Sequence, residues 1–326
     1  MKLQFVVSDQ TNPYWNIAVE QYLVDSPAQA IKQSDNQTIT LYLWKNRRTV
    51  VIGQNQNPYS EVNLEALEAD GGFLMRRKTG GGAVYHDDGN INFSFVVPKT
   101  LYDQSRQFRV IQRAVADFGI VAELSGRNDI LTEGRKFSGN AFSKGKYQDL
   151  HHGTILIKGN MEDLQRYLKP KPAKLQKHGV ASVRSRVVNL SELNPAITSD
   201  SIVPHLRKAF EEEYSEYSEY CEYSEIIKQP EVCALYEQFA SDEWRYGRWR
   251  SFTAQRSAQF PWGGVELSLT VDQQQGIITD VQLASDALDL AAVTAAIELL
   301  RGASTTTRPQ TTGNQTTDDI LALVYE

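Results

Sequence analysis

The sequence predicts an α+β fold, mixed β-sheets packed with helices, divided into two units. Three observations carry that expectation. Strand-like and helix-like segments mix without a strict βαβ repeat, which disfavours a doubly wound sheet. The 326 residues, 41% hydrophobic and 23% charged, suit a soluble chain with a full core and a second unit. Charge also changes along the chain: residues 1–190 hold 25 Lys+Arg against 18 Asp+Glu, and residues 191–326 hold 9 against 22.

Asn12-Pro13 starts a helix over 14–25, and 39–44 and 49–52 are β-rich runs bounded by polar residues or glycine. A helix is expected over 59–69, stopped by Asp70-Gly71-Gly72, with a strand at 73–75. Residues 83–85 and 91–97 read as a hairpin turning at Asp88-Gly89. Then come a helix over 105–118, strands over 136–143 and 152–158, and a short helix over 161–168. The lysine-rich stretch 170–183 reads as a loop, and the Tyr-Ser-Glu repeat at 214–225 as a solvated acidic helix without chemistry. The domain expectation is 1–245 and 246–326. The smaller unit carries strands at 265–271 and 277–283 about a turn at 274–276, a helix at 287–300 and a loop at 304–317. It has no nucleophile or phosphate loop, so its role reads as accessory.

The start is too soon polar for a signal peptide, and no apolar run approaches the roughly 20 residues of a membrane span. Two cysteines, Cys221 and Cys233, make neither a disulfide framework nor a thiolate metal site, so a cytoplasmic protein is expected. The basic excess of the first half is too modest for a nucleic-acid surface and better matched to a small polyanion such as a nucleotide.

Chemistry concentrates in Arg76-Arg77-Lys78-Thr79-Gly80-Gly81-Gly82-Ala83-Val84-Tyr85-His86-Asp87. Glycines admit a ligand close to main-chain N–H groups, and arginine is a fixed fork of donors for phosphate or carboxylate oxygens. No Gly-Lys-Ser/Thr closes the segment as in a P-loop, and the contiguous glycines lead into a strand, unlike a dinucleotide fingerprint. Lys136, at the head of Lys-Phe-Ser-Gly-Asn-Ala, could neutralise charge that develops in acyl or phosphoryl transfer, with Asp129 to hold it or a metal ion. His151 and His152 must point to opposite faces of a strand and cannot share one metal, so one is free to face a ligand. There is no Gly-x-Ser-x-Gly elbow, and both cysteines lie away from every motif.

Together with Gly126-Arg127-Asn128-Asp129-Ile130, Ser182 to Val187 and Trp262-Gly263-Gly264-Val265-Glu266-Leu267, these motifs resemble the lipoate–protein ligase A family in order and spacing. The resemblance implies a biotin/lipoate ligase-like catalytic domain and a small α+β C-terminal domain. It implies activation of lipoate by ATP, with Mg²⁺, to lipoyl-AMP and pyrophosphate. Transfer then follows to a lysine of a lipoyl domain, in E2 subunits of 2-oxoacid dehydrogenases or glycine-cleavage H protein. By position, Lys136 corresponds to the active-site lysine, touching both lipoyl carboxyl and AMP phosphate. Arg77, Gly82, Ala83, Val84 and Tyr85, with Asp129, are implied for the adenylate. Arg76, Gly81, His86, Ala141 and His152 are implied for lipoate, with Glu20 and Trp44 as additions, and 170–186 as the loop that closes over the adenylate. Phe137 departs from the family's smaller aliphatic residue, and the 214–225 repeat and the tail match poorly. No metal ligand is assigned, no nucleic acid or membrane is expected, and a monomer is the default. The alternative is an ATP-independent lipoyl/octanoyl transferase drawing on an acyl carrier protein.

Overall fold

The strand Asn90–Pro98 shows how the chain divides its space. All nine side chains are buried, and alternation sends Ile91, Phe93, Phe95 and Val97 to one face and Asn92, Ser94 and Val96 to the other. One face is therefore an apolar core, while the other carries polar groups that need partners. The computed structural model describes residues 1–25, 37–126, 128–169, 187–246, 254–272 and 276–325.

In chain order the first strands are β1 (Lys2–Val7), β2 (Thr38–Trp44), β3 (Thr49–Ile52), β4 (Phe73–Arg76), β5 (Val84–His86) and β6 (Asn90–Pro98). They are followed by β7 (Glu123–Ser125), β8 (Asp129–Thr132), β9 (Arg135–Lys144), β10 (Gln148–Leu156) and β11 (Ser218–Cys221). The main sheet has the order β11-β1-β2-β6-β10-β9-β8-β7, and a smaller one runs β4-β3-β5. Against the apolar face of the main sheet lie the helices Gln104–Ala116 and Ile202–Tyr214, through Phe108, Val110, Ile111, Leu206 and Phe210. Asp103 caps the first, accepting from the N–H groups of Ser105 and Arg106. Burial of one such phenylalanine contributes about 1.5–3 kcal/mol.

On the opposite face the helix Pro13–Asp25 is sandwiched between the two sheets. It is buried at Ile17, Ala18, Val19, Leu23 and Val24, because Val51 and Met75 of the small sheet approach it there. The remaining sheet, β12 (Ala254–Phe260), β13 (Gly263–Asp272) and β14 (Ile277–Ser285), packs with the helices Leu290–Leu300 and Gln315–Tyr325 around a separate core. Among the described residues no helix is long and apolar enough to cross a membrane.

Four expectations are corrected. Segments 83–85 and 91–97 do not pair as a hairpin: β5 joins β3, while β6 lies between β2 and β10. The turn at Gly89 crosses between sheets because its carbonyl accepts from the N–H groups of Ile157 and Lys158, 2.9 Å each. The helix over 59–69 is two short helices, Pro58–Glu61 and Leu64–Ala69, parted where Val62 turns extended and Asn63 caps the second. The 214–225 repeat is not one helix: the helix Ile202–Tyr214 ends as the repeat begins, and the chain turns helical again only at Tyr223–Ile226. Ser215 takes a left-handed conformation (φ 54°), and Ser218–Cys221 pairs in parallel with β1, whose open edge outweighs local periodicity. In the smaller unit, the helix Gln315–Tyr325 and β12 occupy segments read as loop or left unassigned. Residues 170–186 and 274–275, expected to be loop and turn, lie outside the described residues.

Candidate active site

The polar face of the main sheet and the glycine segment enclose a cavity of about 300 Å³. Its floor is a row of residues brought level by strand register: Trp44 opposite Asn92, Asn92 opposite Thr154, and Gly139, whose N–H donates to Thr154 Oγ1 at 3.2 Å. Arg77, Gly81, Gly82 and Ala83 form the facing wall, and Ile17, Val51 and Met75 make one end apolar. Asp286 and Leu288 of the C-terminal unit also line it, so that unit is not merely accessory in position.

Lys136 and Asp129 meet at 2.7 Å between Nζ and Oδ1, each about one-third exposed. The β8–β9 turn at Glu133 and Gly134, both with positive φ, and a register shift after Ile130 bring them together across neighbouring strands. The shift also lets Phe137 drop into the apolar core while Lys136 stays at the cavity. A Cβ at Gly139 would stand 2.8 Å from Lys136 Nζ, so glycine makes room for the ammonium.

Arg77 folds back inside its own loop. Its guanidinium donates to Gly80 O at 2.8 Å, Gly82 O at 2.9 Å and Thr79 Oγ1 at 3.0 Å. Burial pushes its pKa down to about 10, partly opposed by Glu20, so it remains a cation beneath the glycines at neutral pH. Gly81 adopts φ 98°, and its N–H donates to Ala287 O of the C-terminal unit at 3.1 Å.

Behind the wall runs a buried relay. His152 Nδ1 stands 2.7 Å from Glu20 Oε2, and His152 Nε2 stands 2.8 Å from Thr79 Oγ1. Ser94 Oγ donates to the same Glu20 oxygen at 2.6 Å and accepts from Trp44 Nε1 at 3.0 Å. Arg77 Nε–H donates to Thr79 Oγ1, and His152 bridges Thr79 and Glu20 through its two ring nitrogens. His151, as strand alternation requires, points the other way, among Phe93, Phe95, Phe108 and Phe142. Burial lowers its pKa well below the usual value, with His152 adding to the effect.

Thus Lys136, Asp129, Arg77, Gly81, Gly82, Ala83, Val84, His86, Ala141 and His152 converge on one cavity, with Trp44. Glu20 stands one hydrogen bond behind it. Arg76 and Tyr85 do not line it, contrary to expectation. Arg76 faces the far side of β4, donating to Gln54 O, Gln56 O and Arg245 O at 2.7–2.9 Å. Tyr85 packs against Tyr167 and donates to Asp163 at 3.2 Å, since Val84 takes the cavity side. Sequence reasoning gave no role to Thr79, Ser94, Asp286 or Leu288. For the last two no local signal exists, because they reach the site only by domain docking. Arg127 lies outside the described residues.

Residues 12–211 match the family model of the lipoyl protein ligase A/B catalytic domain, and residues 250–309 match that of the bacterial lipoate protein ligase C-terminus. The chain is 40% identical to the lipoate-protein ligase A of Psychrobacter cryohalolentis, over 89% of this chain and 85% of that protein. It is likewise 40% identical to that of Bdellovibrio bacteriovorus, over 92% and 88%. The solved P. falciparum LipL1, in complex with lipoate, is 30% identical and superimposes with a TM-score of 0.84 over 98% of both chains. With a catalytic-domain match across most of the larger unit and relatives of this identity along nearly its whole length, the chain belongs to the lipoate–protein ligase A family.

Proposed function

We propose that this protein is a lipoate–protein ligase that activates lipoate with ATP and transfers the lipoyl group to a lysine of a lipoyl domain. The observation that carries the mechanism is the placement of Lys136, held by Asp129, across one cavity from the glycine wall that Arg77 underlies. In the first step a lipoate carboxylate oxygen attacks the α-phosphorus of ATP, the bond to the β-phosphate bridge breaks, and pyrophosphate leaves. Two anions must approach each other, so fixed positive charge in a partly dry cavity lowers that barrier. Lys136 supplies a charge to both. Arg77 contributes a field from beneath the loop, its donors being engaged by Gly80 and Gly82. At Gly82 an added Cβ would meet nothing, which leaves the nucleotide room along the backbone.

Mg²⁺ typically takes one or two carboxylates and fills its remaining positions with water and phosphate oxygens. Asp129 and Asp286 line the cavity and fit that role, where the ion would neutralise phosphate charge. In the second step the acceptor lysine amine attacks the acyl carbon, the C–O bond to AMP breaks, and AMP leaves as the amine loses its proton. No cysteine lines the cavity, consistent with a nucleophile supplied by the partner. We take acceptors to be lipoyl domains of 2-oxoacid dehydrogenase E2 subunits and glycine-cleavage H protein, and the enzyme to be a cytoplasmic monomer. Its catalytic unit would be residues 1–245 and its C-terminal unit residues 246–326.

Lipoate-dependent release of pyrophosphate from ATP and Mg²⁺ tests this directly. Lys136→Ala is expected to lower that rate at least about 100-fold with its thermal midpoint unchanged. Transfer from an acyl carrier without ATP, and no pyrophosphate, would defeat the reading.

A further inference from the structure

The imidazole of His151 is fully buried, and no step of activation or transfer uses it directly. It stands among Phe93, Phe95, Phe108 and Phe142, where an apolar ring would pack as well, yet both of its nitrogens are engaged. Nδ1 lies 2.9 Å from the carboxamide of Gln107 on the helix Gln104–Ala116, and Nε2 lies 2.9 Å from Asn140 Oδ1 on β9. Asn140 Nδ2 donates at 3.0 Å to the carbonyl of Asn128, which can only accept. The Asn140 atom facing His151 is therefore the oxygen, and His151 Nε2–H donates to it. Gly153 lies two residues beyond His151 on the same face of β10. A Cβ there would come within 2.5 Å of Asn140 Oδ1, so glycine leaves the carboxamide its place.

Asn140 is where this buried link meets the Lys136–Asp129 pair. Its backbone N–H donates to Asn128 O at 2.9 Å, so that one carbonyl accepts from both the backbone and the side chain of Asn140. Asn128 Nδ2 donates back to Asn140 O at 2.6 Å. The two asparagines thus close β8 against β9 immediately before Asp129, whose own partner in the ladder is Gly139. On the other side of Asp129 the register shifts after Ile130, which leaves the asparagine clamp as the regular anchor of that strand end. Asp129 then holds Lys136 Nζ at 2.7 Å. The run Gln107–His151–Asn140–Asn128 ties the cavity end of β8 to the helix behind the sheet. Freeing Asn140 Oδ1 from its buried donor would leave an unpaired acceptor, which favours a turned carboxamide and a loosened Asn128.

We propose that His151 is a positioning residue for nucleotide activation: by holding the Asn140 carboxamide it fixes Asn128 and Asp129, and through Asp129 the ammonium of Lys136. The step it serves rests on the ligase reading, but one arm of the test is a binding measurement that does not. Two amide side chains separate the links. Glutamine carries its N–H donor as many bonds from Cβ as Nε2, whereas asparagine reaches only the Nδ1 position. His151→Gln should therefore keep the bond to Asn140, and His151→Asn and His151→Phe should break it. Lipoate-dependent pyrophosphate release should fall about 10- to 100-fold in the latter two, through kcat, and stay within about three-fold of wild type in His151→Gln. The calorimetric Kd for ATP with Mg²⁺ should rise about five-fold in His151→Asn and His151→Phe, while that for lipoate stays within about two-fold. A histidine that only fills the core would weaken both ligands alike or neither, and glutamine would serve it no better than asparagine. Should the His151 variants fail to fold, Gln107→Leu decides: it lies outside the cavity, releases Nδ1 alone and should raise the Kd for ATP about three-fold. Equal losses in His151→Gln and His151→Asn, unchanged ATP affinity in His151→Phe or in Gln107→Leu, a parallel loss of lipoate affinity, or no binding of ATP by the wild-type protein would overturn the proposal. Absence of pyrophosphate release with this pattern of ATP affinities intact would instead overturn only the ligase reading.

Discussion

Gly139→Ala separates catalytic geometry from stability. The new Cβ would stand 2.8 Å from Lys136 Nζ and 3.0 Å from Cε, where ordinary contacts lie at about 3.5–4.0 Å. The ammonium must therefore retreat by roughly 0.7 Å or more, which breaks or stretches its 2.7 Å bond to Asp129. The contact is with the far end of a flexible side chain, and Gly139 is not among the residues with positive φ. Alanine is thus conformationally acceptable, and stability should change by less than about 1 kcal/mol. A misplacement near 1 Å of a positioned group can lower a rate on the order of 100-fold, so pyrophosphate release should fall by about 10- to 100-fold. The assay is lipoate-dependent pyrophosphate release at saturating ATP, with thermal unfolding alongside. A wild-type rate in a well-folded Gly139→Ala would show that the Lys136 position does not govern activation, and the reasoning would fail.

Two further outcomes follow from the buried groups. Thr79→Val removes the hydroxyl that links Arg77 to His152, leaving His152 Nε2 without a partner while Arg77 Nε keeps a 3.2 Å contact to Gly80 O. Urea unfolding should show a loss of about 2 kcal/mol, largely restored in Thr79→Ser; a loss below about 0.5 kcal/mol would dismiss the relay as a structural support. Stability should also fall in mild acid. His86 is held near 3 by burial, below the unfolded value near 6.5, so the unfolded chain binds the extra proton. Its contribution is complete above about pH 6.5 and declines as pH falls toward 3. Between pH 7 and 5 it amounts to about 2 kcal/mol, with His151 acting in the same direction. Urea midpoints that stay level from pH 7 to 5 would contradict this.

The sequence by itself determined the α+β class and the segment that builds the anion wall. Glycine freedom, arginine donors and strand alternation are local properties, and they were legible at Arg77, Gly81 and the pair His151-His152. Alternation alone sent Asn92 and Ser94 to the cavity face and Phe93 and Phe95 to the core. Two neighbouring arginines look alike in sequence, but only the end of β4 decided that Arg77 underlies the glycines while Arg76 ties Gln54 and Gln56 to Arg245. The strand at Ser218–Cys221 likewise required the open edge of β1, a long-range partner that a three-residue repeat does not reveal. Asp286 and Leu288 enter the cavity through a docking contact more than 200 residues away along the chain from Gly81. Local backbone preference and side-chain period act within a few residues, whereas register, sheet edges and domain docking depend on what the rest of the chain brings alongside.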